Sequence, residues 1–176
     1  MQREGLIQVY TGGGKGKTTA AVGLAVRAVA HRLRVCYIYF HKNPNRYKYG
    51  EQGILKKLGI DVFGFAKKHP SFYKGVRSDD IRKECLEGAG FIKKIFQRNK
   101  YDLLILDEIL ISVRDGFLKE KEILNILDSK PKNLEIILTG RGATEKIIKK
   151  ADLISRIEKI KHPYDVGTKR RKGIEY

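Results

Sequence analysis

The chain has 176 residues, 41% of them apolar and 32% charged, which is enough for one domain with a proper core and too few for two ordinary ones. No apolar run reaches the roughly 18 residues that a membrane span needs, and the opening Met1-Gln2-Arg3-Glu4-Gly5 lacks the apolar core and cleavage site of a signal peptide, so a cytoplasmic protein is expected. Lys and Arg number 37 against 20 Asp and Glu, and the net charge of +17 favours anionic partners, although lysines spread along the chain also fit a solvated surface.

Leu6-Ile7-Gln8-Val9-Tyr10 is a short apolar run that ends in glycines, the pattern of a buried strand. Lys17 to His31 carries small apolar residues on nearly every side and predicts a helix packed inside the domain. Val35 to Phe40 is a second strand. His41 to Gly50 is polar, basic and aromatic, and reads as an exposed loop. A short helix is expected over Glu51 to Leu58 and a third strand over Ile60 to Phe65, followed by a loop from Lys67 to Gly75. Ser78 is the expected N-cap of a helix running to Asn99, with Asp79 and Asp80 suiting its dipole and Gly88 and Gly90 loosening it. Leu103 to Leu106 is a strongly apolar strand ending in Asp107-Glu108. A helix over Lys119–Asp128, a strand over Leu134–Thr139, the turn Gly140-Arg141-Gly142, a helix over Thr144–Lys150 and a strand near Leu153–Ile160 complete the series. Strands alternating with helices, with no repeat or linker, predict a single three-layer α/β domain over residues 1–176. Its sheet should be mostly parallel and covered by helices on both faces. Cys36 and Cys85, the only cysteines, stand outside any CxxC pair and read as reduced, buried residues.

The strongest chemical signal is Gly12-Gly13-Gly14-Lys15-Gly16-Lys17-Thr18-Thr19, placed between a strand and a helix. Glycines let the backbone curl so that its N–H groups face phosphate oxygens, and the helix N-terminus adds positive charge at the same place. Lys17 brings a full charge to the phosphates, and Thr18 brings a hydroxyl for Mg2+. Read from Gly12, the loop is one residue shorter than the usual phosphate loop, so it should grip a different part of a triphosphate. Asp107-Glu108 at a strand end supplies an acid for Mg2+, and adjacent acids point to opposite sides, so only one faces the metal. Thr139-Gly140-Arg141-Gly142 lies at another strand's C-terminal end, where ligands of open parallel sheets sit, and Arg141 can reach the phosphates.

GGGKGKTTAA, LDE, TGRG, KHPYDVG and the closing GIEY recur in this order in the ATP:corrinoid adenosyltransferases of the cobalamin pathway, which this chain resembles from Leu6 to Tyr176. The resemblance implies a RecA-like phosphate-loop fold, usually dimeric. It implies transfer of the 5′-deoxyadenosyl group of ATP to the cobalt(I) of a reduced corrinoid, with inorganic triphosphate released. ATP in this family lies reversed, its γ-phosphate where the β-phosphate normally sits. The implied assignment gives Gly12, Gly13, Gly14, Lys15, Gly16, Lys17, Thr18, Thr19 and Arg141 to ATP. Lys15 and Lys17 neutralise the leaving group, and Thr18 with Glu108 hold Mg2+, Asp107 being the second choice. An aromatic residue covers one face of the corrin in this family, and Phe65 matches its position. An electron-donor protein such as a flavodoxin is an implied partner, and no specific nucleic acid or membrane is expected. Two departures stand out. Lys67 replaces a common tryptophan, and the N-terminal extension of some members is expected to be missing. The competing readings are a RecA-like ATPase acting on nucleic acid, which the charge favours and the short loop disfavours, a nucleotide or small-molecule kinase, and an inactive corrinoid-binding or regulatory paralogue, which Lys67 in place of an aromatic leaves open.

Overall fold

The computed structural model describes residues 4–44, 50–169 and 171–174. Parts of the loop expected over 41–50, of the basic cluster at 169–172 and of the closing GIEY lie outside the described residues. The apolar runs become β1 (Ile7–Thr11), β2 (Val35–Phe40), β3 (Asp61–Phe65), β4 (Leu103–Asp107), β5 (Glu135–Thr139) and β6 (Leu153–Arg156). They form one sheet in the order β3-β2-β4-β5-β1-β6, and every pairing is parallel. The helices are α1 (Lys17–Ala30), α2 (Gly50–Lys57), α3 (Ser78–Arg98), α4 (Ile109–Arg114), α5 (Glu120–Asp128) and α6 (Glu145–Lys150).

Alternation along each strand sorts side chains into two cores. Val35, Tyr37, Tyr39, Leu103 and Ile105 pack under α1 and α2. Cys36, Ile38, Phe40, Leu104 and Leu106 pack under α3, α4, α5 and α6. Both cysteines are free and buried.

Four local expectations are corrected. Helix α1 is not enclosed: it buries the stripe Lys17, Ala21, Ala25 and Ala28, while Val26 on another side is 43% exposed. Its small residues let one face approach the sheet closely, and a helix covering a sheet needs only one such face. Ser78 is not the N-cap. Arg77 holds the extended cap position, Ser78 is already helical, and an Arg77–Asp80 ion pair at 2.9 Å closes the first turn instead. Gly88 and Gly90 do not loosen α3, which runs unbroken. A Cβ on Gly88 would stand 2.8 Å from a carbon of the Phe40 ring, so this glycine admits rings from β2 and β3. The last strand, expected near Leu153–Ile160, stops at Arg156 and forms an exposed edge of the sheet.

The arrangement places three strand ends together. β1 lies between β5 and β6, and β5 separates it from β4. The glycine loop, Thr139-Gly140-Arg141 and Asp107-Glu108 therefore emerge along one C-terminal edge of the sheet.

Candidate active site

The loop after β1 is shaped by backbone that only glycine adopts easily. Gly12 has φ 103° and Gly16 φ 125°. A Cβ on Gly12 would also stand within 2.4 Å of the Ile157 carbonyl oxygen. The loop is stitched to the strand that follows it in space: Gly14 N–H donates to Ile157 O at 2.8 Å, and Ile157 N–H donates to Thr11 O at 2.8 Å. Lys17 is buried, and its ammonium donates to the carbonyls of Gly12 at 2.9 Å and Gly14 at 2.7 Å. Burial pulls its pKa below the ordinary value, against the pull of Glu108. The first turn of α1 holds no acid, so its N-terminus keeps its positive end toward the loop. Lys15 and Thr19 are exposed beside it.

The two adjacent acids have opposite surroundings. Asp107 is fully buried, and four donors reach its carboxylate. Thr18 Oγ1 and Thr139 Oγ1 donate to Oδ1 at 2.9 and 2.7 Å. Tyr37 donates to Oδ2 at 2.7 Å, and the Lys42 ammonium lies 2.6 Å from that oxygen. Burial would raise the Asp107 pKa, but Lys42 and these hydrogen bonds hold it below the ordinary value. Glu108 is half-buried in left-handed backbone, φ 61°, and its main-chain N–H donates to Thr139 Oγ1 at 2.9 Å. Its carboxylate makes no hydrogen bond or ion pair among the described residues. Burial and the neighbouring Asp107 raise its pKa.

A cavity of about 1160 Å³ opens over the loop. Lys15, Thr18, Lys42, Glu108 and Arg141 line one side of it. The opposite wall is His162, Pro163, Tyr164 and Asp165 with neighbouring residues of the C-terminal segment. There Pro163–Val166 forms a 3-10 turn, whose first N–H, that of Tyr164, donates to His162 Nδ1 at 3.1 Å. Gly142 passes close to α4, where a Cβ would meet Arg114 at 2.8 Å. A second cavity of about 410 Å³ shares Lys17, Lys42, Glu108 and Arg141 with the first and adds His41, His69 and Phe72. Its wall is fixed by His69 Nε2 against Asp115 Oδ2 at 2.8 Å and by His41 Nε2 against Ser112 Oγ at 2.8 Å.

Most of the residues singled out in the sequence are therefore brought to one edge. Phe65 stands apart. It ends β3, half-buried, with ring centroids 6.0 Å from Phe40 and 5.6 Å from Phe91, and it is not among the described residues lining either cavity. Sequence reasoning missed Lys42 and Tyr37, which hold Asp107, and the wall at 162–165. The KHPYD segment itself was visible. The signal for Lys42 was only its place just beyond an apolar strand.

A family described as ATP:corrinoid adenosyltransferase BtuR/CobO/CobP matches residues 3–176. The corrinoid adenosyltransferase of Escherichia coli (strain K12) is 34% identical over 174 residues, 98% of this chain and 86% of that protein. The corrinoid adenosyltransferase CobA of Salmonella typhimurium (strain LT2) is 33% identical over 177 residues, covering 99% of this chain and 87% of that one. Among solved structures, a KaiC-like protein of Pyrococcus horikoshii, PH0186, superimposes with a TM-score of 0.59 at 14% identity, over 88% of this chain and 72% of that chain, a likeness of fold. Motifs, sheet edge and whole-chain similarity agree, and the chain belongs to the ATP:corrinoid adenosyltransferase family.

Proposed function

We propose that the chain carries out its family's transfer, from ATP to the cobalt of a reduced corrinoid, with the loop Gly12–Thr19 holding the triphosphate that leaves. Reduced cobalt is the nucleophile. It bonds to the 5′ carbon as the carbon–oxygen bond breaks, and the electron pair stays on the triphosphate. No proton has to move, so the protein contributes position and charge. Loop N–H groups, Lys15, Lys17 and Arg141 face the growing negative charge. The observation that carries this reading is a buried Lys17 ammonium held at the carbonyls of Gly12 and Gly14 inside a glycine loop, in a chain whose residues 3–176 match the family.

The donor set also fits a Mg2+ ion, which would screen the phosphates. Thr18 offers its hydroxyl oxygen, already within 3.1 Å of one cation, the Lys42 ammonium. Glu108 offers a carboxylate that no described residue engages, whereas the oxygens of Asp107 are taken by four donors. Glu108 is therefore the proposed ligand, with Thr18. Phe65 is the proposed corrin contact, reached where its ring emerges from the Phe40–Phe91 cluster. No helix among the described residues is long and apolar enough to cross a membrane. A cytoplasmic homodimer supplied by an electron-donor protein such as a flavodoxin completes the proposal, on the strength of the family resemblance.

The test is incubation with ATP, Mg2+ and chemically reduced cobalamin. Loss of the cobalt(I) spectrum with stoichiometric triphosphate is expected. Orthophosphate, released in response to nucleic acid, would favour the ATPase reading instead.

A further inference from the structure

Lys42 lies two residues beyond β2 and is 9% exposed. Its ammonium is 2.6 Å from Asp107 Oδ2, donates to Thr18 Oγ1 at 3.1 Å and is 4.0 Å from Glu51 Oε1. A monovalent cation thus rests against the hydroxyl that the metal would use. The same side chain lines both cavities, so it stands at the wall between the loop and the second chamber. Burial weakens its charge, but Asp107, Glu108 and Glu51 more than compensate, and the group stays an ammonium.

We propose that Lys42 is a mobile charge in this reaction: it holds Thr18 and Asp107 until nucleotide and metal enter, and then turns onto the departing triphosphate. The inference rests on the reading of the loop as a triphosphate site. Two physical facts support it. A buried carboxylate without a nearby cation is costly, so Lys42 can leave Asp107 only when the divalent ion at Thr18 brings replacement positive charge beside it. A hydroxyl oxygen has two lone pairs, but an ammonium and a divalent ion seated on the same one would stand only about 4–5 Å apart and repel each other, so the divalent ion drives Lys42 away from Thr18. The released ammonium has anionic oxygens within reach, and its charge then acts where negative charge develops. Lys42 keeps its protons throughout.

Binding measurements test this without corrinoid. Free Mn2+ is titrated by electron paramagnetic resonance in nucleotide-free protein, and inorganic triphosphate by calorimetry in chelator. Lys42→Met should bind Mn2+ about tenfold more tightly than wild type and triphosphate about tenfold more weakly. Lys42→Gln, which can still donate to Asp107, should shift both the same way and serves if the Met variant does not fold. Affinities within about twofold of wild type for either ligand would overturn the proposal and leave Lys42 a fixed counter-ion of Asp107. Wild-type protein that binds no triphosphate would overturn the loop reading, and this inference with it.

Discussion

Four donors surround the Asp107 carboxylate, and a carboxylate has only about four lone-pair directions to offer. Glu108→Gln should therefore raise the Mg2+ requirement of the reaction steeply and leave thermal stability intact. Asp107→Asn should have the milder effect on Mg2+ but cost about 3 kcal/mol of stability, because it removes the nearest counter-charge of the buried Lys42 ammonium. Metal titrations and melting curves separate the two, and a reversed order in the titrations would transfer the metal to Asp107. Lys17→Ala should lose ATP affinity and turnover together, read by calorimetry and initial rates; retention of both would contradict the loop assignment. His41 gives a pH prediction. Burial first, then His69, push its imidazole down to about 4, from 6.5 for a free histidine. Between those values the unfolded chain binds the extra proton, so this contribution to stability is complete above about pH 6.5 and is lost as pH falls toward 4. The loss approaches about 3 kcal/mol, and His41→Gln should remove that part of the slope in denaturant titrations at stepped pH. The glycine loop and the acid pair were legible because their chemistry is local. Lys42 was not: its burial is decided by an acid far along the chain, and a polar loop around it reads as solvated.

The strands were legible because β-branched and leucine runs bounded by polar residues leave few alternatives, and β4 and β5 are buried along their whole length. Helix α4 was not, because it continues the apolar run of β4 with no loop between them, and only Glu108 in left-handed backbone breaks the two apart. The sidedness of α1 was hidden by residues too uniform in size to mark a face. In α3 two glycines close in sequence have different neighbours. A Cβ at Gly90 meets nothing within 4 Å, whereas one at Gly88 meets Phe40 at 2.8 Å and Phe65 at 3.1 Å. Gly90→Ala should stabilise the protein by roughly 0.5–1 kcal/mol through helix propensity. Gly88→Ala should lose that gain to overpacking and come out about 1 kcal/mol less stable than wild type. Chemical denaturation of both variants checks the pair, and equal effects would mean that Phe40 and Phe65 do not press on α3.

The net charge of +17 belongs to the molecule as a whole. Lysines lie on α2, α3, α5, α6 and many loops, and several are paired, as in Lys100–Asp61, Lys146–Glu120 and Lys150–Asp128. Such a surface should bind DNA weakly, without sequence preference and with affinity that falls steeply with salt; fluorescence anisotropy over a salt series measures it, and tight binding above about 0.2 M would revive the nucleic-acid ATPase. The sheet order has a consequence of another kind. Strand β1 leaves the ribosome before every other strand of the sheet, yet its two partners, β5 and β6, are the sheet's last two strands in chain order. Ile7 waits for Ile136, and Gln8 waits for Leu153. Until then β1 has both edges open, and the glycine loop has neither Ile157 to anchor it nor Thr139 to meet the acids. With the loop read as the proposed nucleotide site, a nascent chain should gain no grip on nucleotide until β5 and β6 have emerged. The loop is thus translated well before the strands that would make it competent, and chains that stop short of β5 and β6 should not draw on the nucleotide pool.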